Sequence, residues 1–139
     1  MKLKKLASLA AILVAGTTSL ALAHDASDVV HLGKPNIKNL MTKTLKGADG
    51  IEVIMSHVAL PPNFTLPMHW HPGEEFAYIV EGSVTLILDG EGEVVMSKGG
   101  SGVVPLKKIH TARSGEKGAT IVVFRVHEKG QPGRVLVKQ

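Results

Sequence analysis

Two histidines two residues apart, His69 and His71, followed four residues later by Glu75, are the residues whose types and spacing could do chemistry. On an extended segment, residues i and i+2 point to the same face. Both imidazoles could therefore meet one ion at ~2.1 Å each. Pro72-Gly73 is turn chemistry; a turn there lets the next strand start beside the histidines and bring Glu75 in as a negative charge to offset a dication. Glu74 alternates onto the opposite face with Phe76 and Tyr78, whereas Glu75 shares a face with Ala77 and Ile79. Glu74 is expected to be a solvated charge. A second segment, Gly99 to His110 (GGSGVVPLKKIH), ends on a lone histidine after Pro105. A strand-turn-strand there could deliver His110 to the same place. The chain has no cysteine, so thiolate ligands and a cysteine nucleophile are excluded.

Other side chains are weighed against plainer roles. His57 shares a strand face with Ile51, Val53 and Met55. It is the one candidate catalytic residue, as a proton carrier or a donor behind a ligand, against the simpler role of a satisfied, partly buried histidine. Trp70 lies between two ligands and points the other way, as packing support. Phe124 is read as a core aromatic, with pocket lining as the alternative. Lys107 and Lys108 could attract an anion at a barrel mouth, although exposed loop lysines usually do nothing specific. His24 is read as a frayed end, and His31 and His127 as peripheral.

The elements that must position these residues read as strands. Ile51 to Leu60 is rich in branched residues and stops at Pro61-Pro62. Glu75 to Glu81, Ser83 to Leu88, Glu93 to Met96, a short Val103-Val104, Ala119 to His127 and Arg134 to Val137 follow, separated by Gly, Pro or Asp-Gly. Ile37 to Lys46 is open between a short helix and an irregular strand. Short strands with this punctuation and almost no helical periodicity predict an all-β sandwich or barrel.

The start of the chain belongs to something else. Lys2, Lys4 and Lys5 precede an apolar run from Leu6 to Val14, and Ala21-Leu22-Ala23 fits a signal-peptidase site. The apolar run is short for a membrane span, which needs ~20 residues. The expected division is a signal peptide over 1–23, an arm over 24–49 and a barrel over 50–139, with the product periplasmic or secreted and free of the membrane after cleavage. Cleavage would remove three of the 16 basic residues and none of the 12 acids, so the +4 of the whole chain falls to about +1. That leaves no basic excess to steer nucleic acid.

Together the two segments resemble the cupin family. Its first motif runs Gly, five residues, HxH, three or four residues, Glu, six residues, Gly. His69, His71, Glu75 and Gly82 stand at those intervals, with Asn63 in place of the leading Gly. Its second motif runs Gly, five residues, PxG, two residues, His, three residues, Asn. Gly99, Pro105 and His110 fit, while Lys107 replaces the second Gly and Ser114 the Asn. The departures fall at framing positions, not at ligands. The resemblance spans about Ile51 to His127 and implies a double-stranded β-helix, or jelly-roll, barrel. It implies one divalent transition metal held by His69, His71, Glu75 and His110, with Fe, Mn, Ni, Co, Cu and Zn all compatible with that donor set. A homodimer is the family's default, and a small molecule the expected ligand. The family contains enzymes and binding proteins, so two functions are carried forward. One is a metal-dependent enzyme, dioxygenase-like or a decarboxylase or isomerase; the other is a non-catalytic metal- or small-molecule-binding protein.

Overall fold

Branched and aromatic residues punctuated by Gly, Pro and Asp-Gly fold as strands, and among the described residues there is no helix. The computed structural model describes residues 33–138. The signal peptide, its cleavage site, His24 and His31 lie outside them. Eight strands follow in order: β1 Asn36–Thr44, β2 Ile51–Leu60, β3 His69–Trp70, β4 Glu74–Leu88, β5 Gly92–Ser97, β6 Ser101–Val104, β7 His110–Glu128 and β8 Val135–Leu136. The Ile37–Lys46 stretch resolves as strand: β1 pairs antiparallel along β2, from Asn36 opposite Ala59 to Thr44 opposite Glu52.

All the strands join one curled antiparallel sheet, in the order β1-β2-β7-β3-β8, with β4 joining β7 to β5 and β6. The long pair β4 and β7 forms its spine. Ala119–Val126 runs along Glu74–Gly82, and His110–Ser114 along Val84–Leu88. Between these two stretches both strands turn a corner together. Gly82 (φ 71°) and Gly118 (φ 75°) sit there in the left-handed region, and a Cβ on Gly82 would run into the Gly118 carbonyl. Only glycine meets both demands. The corner lets two runs that read as separate strands, Glu75–Glu81 and Ser83–Leu88, become one bent strand. It also carries β7 back to His110, nine residues before its apolar stretch begins.

Strand parity fixes an inside and an outside. Val58 on β2, Ile79, Val84 and Leu86 on β4, Met96 on β5, Val104 on β6 and Ile121 and Val123 on β7 face inward and are buried. Ile79 is wholly enclosed, a burial that stabilises by ~2–3 kcal/mol. The outward face is apolar too. Val103, Phe76, Phe124, Met55 and Met41 stand side by side across five strands, and four of them are exposed, Phe124 by 39%. Phe124 therefore lies outside the barrel, neither in the core nor in the pocket.

Candidate metal centre

β3 is only two residues long, but its position is over-determined. His69 stands opposite His110 of β7 on one side and Leu136 of β8 on the other. The Lys107 amide donates to the His71 carbonyl at 3.1 Å, and the Val137 amide to the Met68 carbonyl at 3.0 Å. His69, His71 and His110 are all buried, and their ligand atoms lie within 4.8 Å of one another. The three ring centroids are 4.3, 4.9 and 5.0 Å apart.

Each ring is held from behind. The Nδ1 atoms contact backbone carbonyls: His69 that of Pro67 at 2.7 Å, His71 that of Gly133 at 2.7 Å, and His110 that of Lys108 at 2.9 Å. A carbonyl only accepts, so these contacts assign the proton to Nδ1 and turn each Nε2 lone pair inward. The same arrangement orients metal-bound histidines generally. Burial lowers the His69 pKa to about 4, with the Pro67 carbonyl opposing and the neighbouring imidazoles assisting. Burial lowers that of His110 too. At neutral pH both present lone pairs.

Whether these residues fit an ion is answered by what their inner nitrogens lack. His71 Nε2 and His110 Nε2 are buried without a hydrogen-bond partner. An unpaired buried polar atom costs ~1–3 kcal/mol. A cation among the three Nε2 atoms would satisfy them together, so the set fits a transition metal. Glu75 adjoins it. Its Oε2 lies 2.9 Å from His71 Nε2, without the alignment of a hydrogen bond. Two neighbouring ligand atoms each ~2.1 Å from one ion would be about as far apart. Oε2 also accepts from Arg125 Nε at 2.9 Å. Burial pushes the Glu75 pKa up, but the His71 contact and Arg125 outweigh it, and the carboxyl falls to about 2.

The cluster opens into a cavity of about 340 Å³ inside the curled sheet. Its wall is apolar apart from the three histidines, Glu75, Arg125 and Arg134. His57 does not line it. Even-numbered residues of β2 point inward, Val58 among them, so His57 faces outward beside Lys38 and Val122. Glu74 is exposed, and Trp70 half-buried. Lys107 is exposed, while the half-buried Lys108 pairs with Glu91 at 2.6 Å. His127 is buried at the end of β7, with Nε2 3.5 Å from Glu52 Oε1, and is not part of the cavity wall. Sequence reasoning passed over Arg125 and Arg134. The available signal was a lone charge inside the apolar run of β7, at the inward parity of Ile121 and Val123.

The framing positions where the motifs depart from the family are also visible. Asn63 (φ 54°) and Lys107 (φ 58°) are the non-glycine residues with positive φ among those described. Both stand where the family motif has Gly, so the left-handed turns persist without it. Ser114, at the position of the motif's Asn, is buried and donates through Oγ to the Pro61 carbonyl, while accepting from the Phe64 amide at 2.9 Å.

Comparison with known proteins agrees with this geometry. The chain is similar over 61% of its length to the DMSP lyase DddQ from Ruegeria pomeroyi DSS-3, at 21% identity and TM-score 0.56, covering 43% of that chain. It is similar over 77% of its length to the polyketide cyclase RemF from Streptomyces resistomycificus, at 23% identity and TM-score 0.58, covering 73% of that chain. A cupin 2 conserved barrel protein from Leptotrichia buccalis aligns over 68% of the chain and 42% of its own, at 22% identity and TM-score 0.59. The chain thus spans less than half of the first and third of these. At such identities the likeness is one of fold. No curated protein matches the chain. The model of the cupin domain matches residues 56–126, half of the sequence, from the inward face of β2 to the end of β7: the chain belongs to the cupin type-2 family.

Proposed function

We propose that this protein is an exported, metal-dependent cupin enzyme acting on a small organic molecule. One observation carries the reading: the ligand atoms of three buried histidines, each with its ring fixed from behind, converge on the wall of a largely apolar cavity. His69, His71 and His110 would hold the ion, with Glu75 as the fourth, anionic ligand. A bound divalent metal would supply Lewis acidity and orient a substrate that chelates it. The protein's own residues do the rest. The carbonyls of Pro67, Gly133 and Lys108 keep the imidazoles in the ligating tautomer. His71 and Arg125 together hold the Glu75 carboxylate ionised, and Arg125 aims it. The apolar wall excludes water from the bound molecule. Dioxygenase-like oxidation, decarboxylation and isomerisation all suit such a site.

A second reading, a binding protein without turnover, is favoured by one feature. Beyond the ligand set, the cavity wall offers no histidine or carboxylate among the described residues to move a proton. The two readings are separated by oxygen uptake and product analysis. Iron-loaded protein would be supplied with diketones, catechols and flavonols, beside a His110→Ala control. Turnover lost in that control supports the enzyme. Tight ligand binding with no turnover under any metal leaves the binding protein. Less than about a tenth of an equivalent of transition metal after reconstitution would sink the metal-dependent enzyme and leave at most a small-molecule binder. Export is tested by N-terminal sequencing of the protein recovered from outside the cytoplasm, which should begin at His24.

A further inference from the structure

The cavity wall has an unusual charge balance. Among the described residues Glu75 is its one carboxylate, set against Arg125 and Arg134. Apart from any ion, the wall is net positive, and a bound dication would raise the excess further. Glu75 offsets Arg125, so the excess is the charge of Arg134, and a cavity with such an excess draws an anion. The two arginines are also placed for a ligand. Arg125 stands opposite Glu75 in the β4–β7 register, and its side chain is only 12% exposed. Its bond to Glu75 runs through Nε. Among the described residues the two terminal nitrogens are not hydrogen-bonded, and Arg125 lines the same cavity. Arg134 follows Gly133, whose carbonyl holds His71, and precedes β8, which pairs with β3. It therefore stands at the mouth, next to the ligand strand, and is exposed.

We propose that the molecule bound here is a small organic carboxylate, gripped by the Arg125 and Arg134 guanidinium groups, with its apolar body against Val58, Leu86 and Ile121. A guanidinium fork matches a carboxylate with two parallel hydrogen bonds. The apolar walls accept a hydrocarbon chain or ring, and a cavity of about 340 Å³ accommodates a compact acid of benzoate size. Arg125 has a double part, since it also aims Glu75. Substrate charge and ligand geometry are thereby read by one side chain.

This assignment deepens the enzyme reading, but its test is separable from it. Benzoate and its uncharged counterpart benzamide are titrated into zinc-loaded and chelator-stripped protein, with binding followed by ligand-observed NMR and metal content measured on each sample. Benzoate should bind at least ~10-fold more tightly than benzamide in the loaded protein, and a preference should persist, weaker, in the stripped protein. Arg134→Gln, at an exposed position, should cost several-fold in benzoate affinity with benzamide binding and zinc content unchanged. Arg125→Lys keeps the charge but loses the fork, and should cost at least as much. Failure to hold zinc with the benzoate preference intact would count against the metal reading alone. Equal binding of the two probes, or benzoate affinity unchanged in Arg134→Gln and Arg125→Lys, would overturn the carboxylate assignment. If Arg125→Lys does not fold, the probe pair and Arg134→Gln still decide the matter.

Discussion

Glu75 is shared between two partners, 2.9 Å from His71 Nε2 and 2.9 Å from Arg125 Nε, so it links the histidine cluster to the cavity's arginine. Replacing it with Gln keeps the shape and removes the anion. The expected outcome is a ~10–100-fold loss of metal affinity in competition with a chelator; unchanged retention would show that the carboxylate is not a ligand. Lys107 offers a different kind of test. It holds a left-handed φ of 58° with an exposed side chain, and a non-glycine residue there costs ~1–2 kcal/mol. Part of that gain would be returned as backbone entropy. Lys107→Gly should therefore stabilise by about 0.5–1 kcal/mol in urea unfolding. Asn63→Gly should do less, because Asn tolerates this region already.

At the scale of elements, the centre depends on how closely two segments approach. Gly73 lies in the link from β3 to β4, between the histidine pair and Glu75. A Cβ there would collide with the Val126 carbonyl and the His127 side chain. That clash is with backbone, which cannot yield without moving β7, and Arg125 on it, away from Glu75. Gly73→Ala should therefore destabilise by about 3 kcal/mol and loosen metal binding at the same time. Thermal unfolding and chelator competition on one sample would check both. If the metal affinity holds while stability falls, the link is structural only. The two-residue β3 cannot hold itself in place, and its register comes from β7 on one side and β8 on the other.

For the whole molecule, the buried imidazoles make stability depend on pH. The His69 pKa falls from 6.5 to about 4 in the folded protein. Between those values the unfolded chain binds a proton that the native state does not, so the His69 contribution falls as pH drops from 6.5 to about 4; below 4.5 Glu75, lowered to about 2, continues the decline. At ~1.4 kcal/mol per pKa unit, the loss is on the order of 3 kcal/mol, and His110 adds to it in the same direction. Metal-free protein should show this slope in urea midpoints measured from pH 7.5 to 4. Bound metal should add ~2.7 kcal/mol at a hundredfold excess over its dissociation constant, and lose that gain over the same pH range as the ligands protonate. A flat profile in the metal-free protein would mean that the His69 and His110 rings are not enclosed as described.

The sequence by itself determined the all-β class, the family, and the meeting of His69, His71 and His110. It could do so because these depend on local rules: alternation on extended backbone, turn residues between strands, and fixed spacing within two motifs. The alternation also separated Glu75, Ala77 and Ile79 from Glu74, Phe76 and Tyr78, and the two groups do take opposite faces. Tertiary structure alone decided which face of β2 and of β7 is inside. Both strands are apolar on both sides, since the outer face carries the half-buried Met55 and the exposed Phe124 side by side. Pattern therefore could not show that His57 faces outward or that Phe124 lies outside. Nor could it show that Arg125 joins Glu75 across the β4–β7 register, because the pairing of strands fifty residues apart is set by the glycine corner they share.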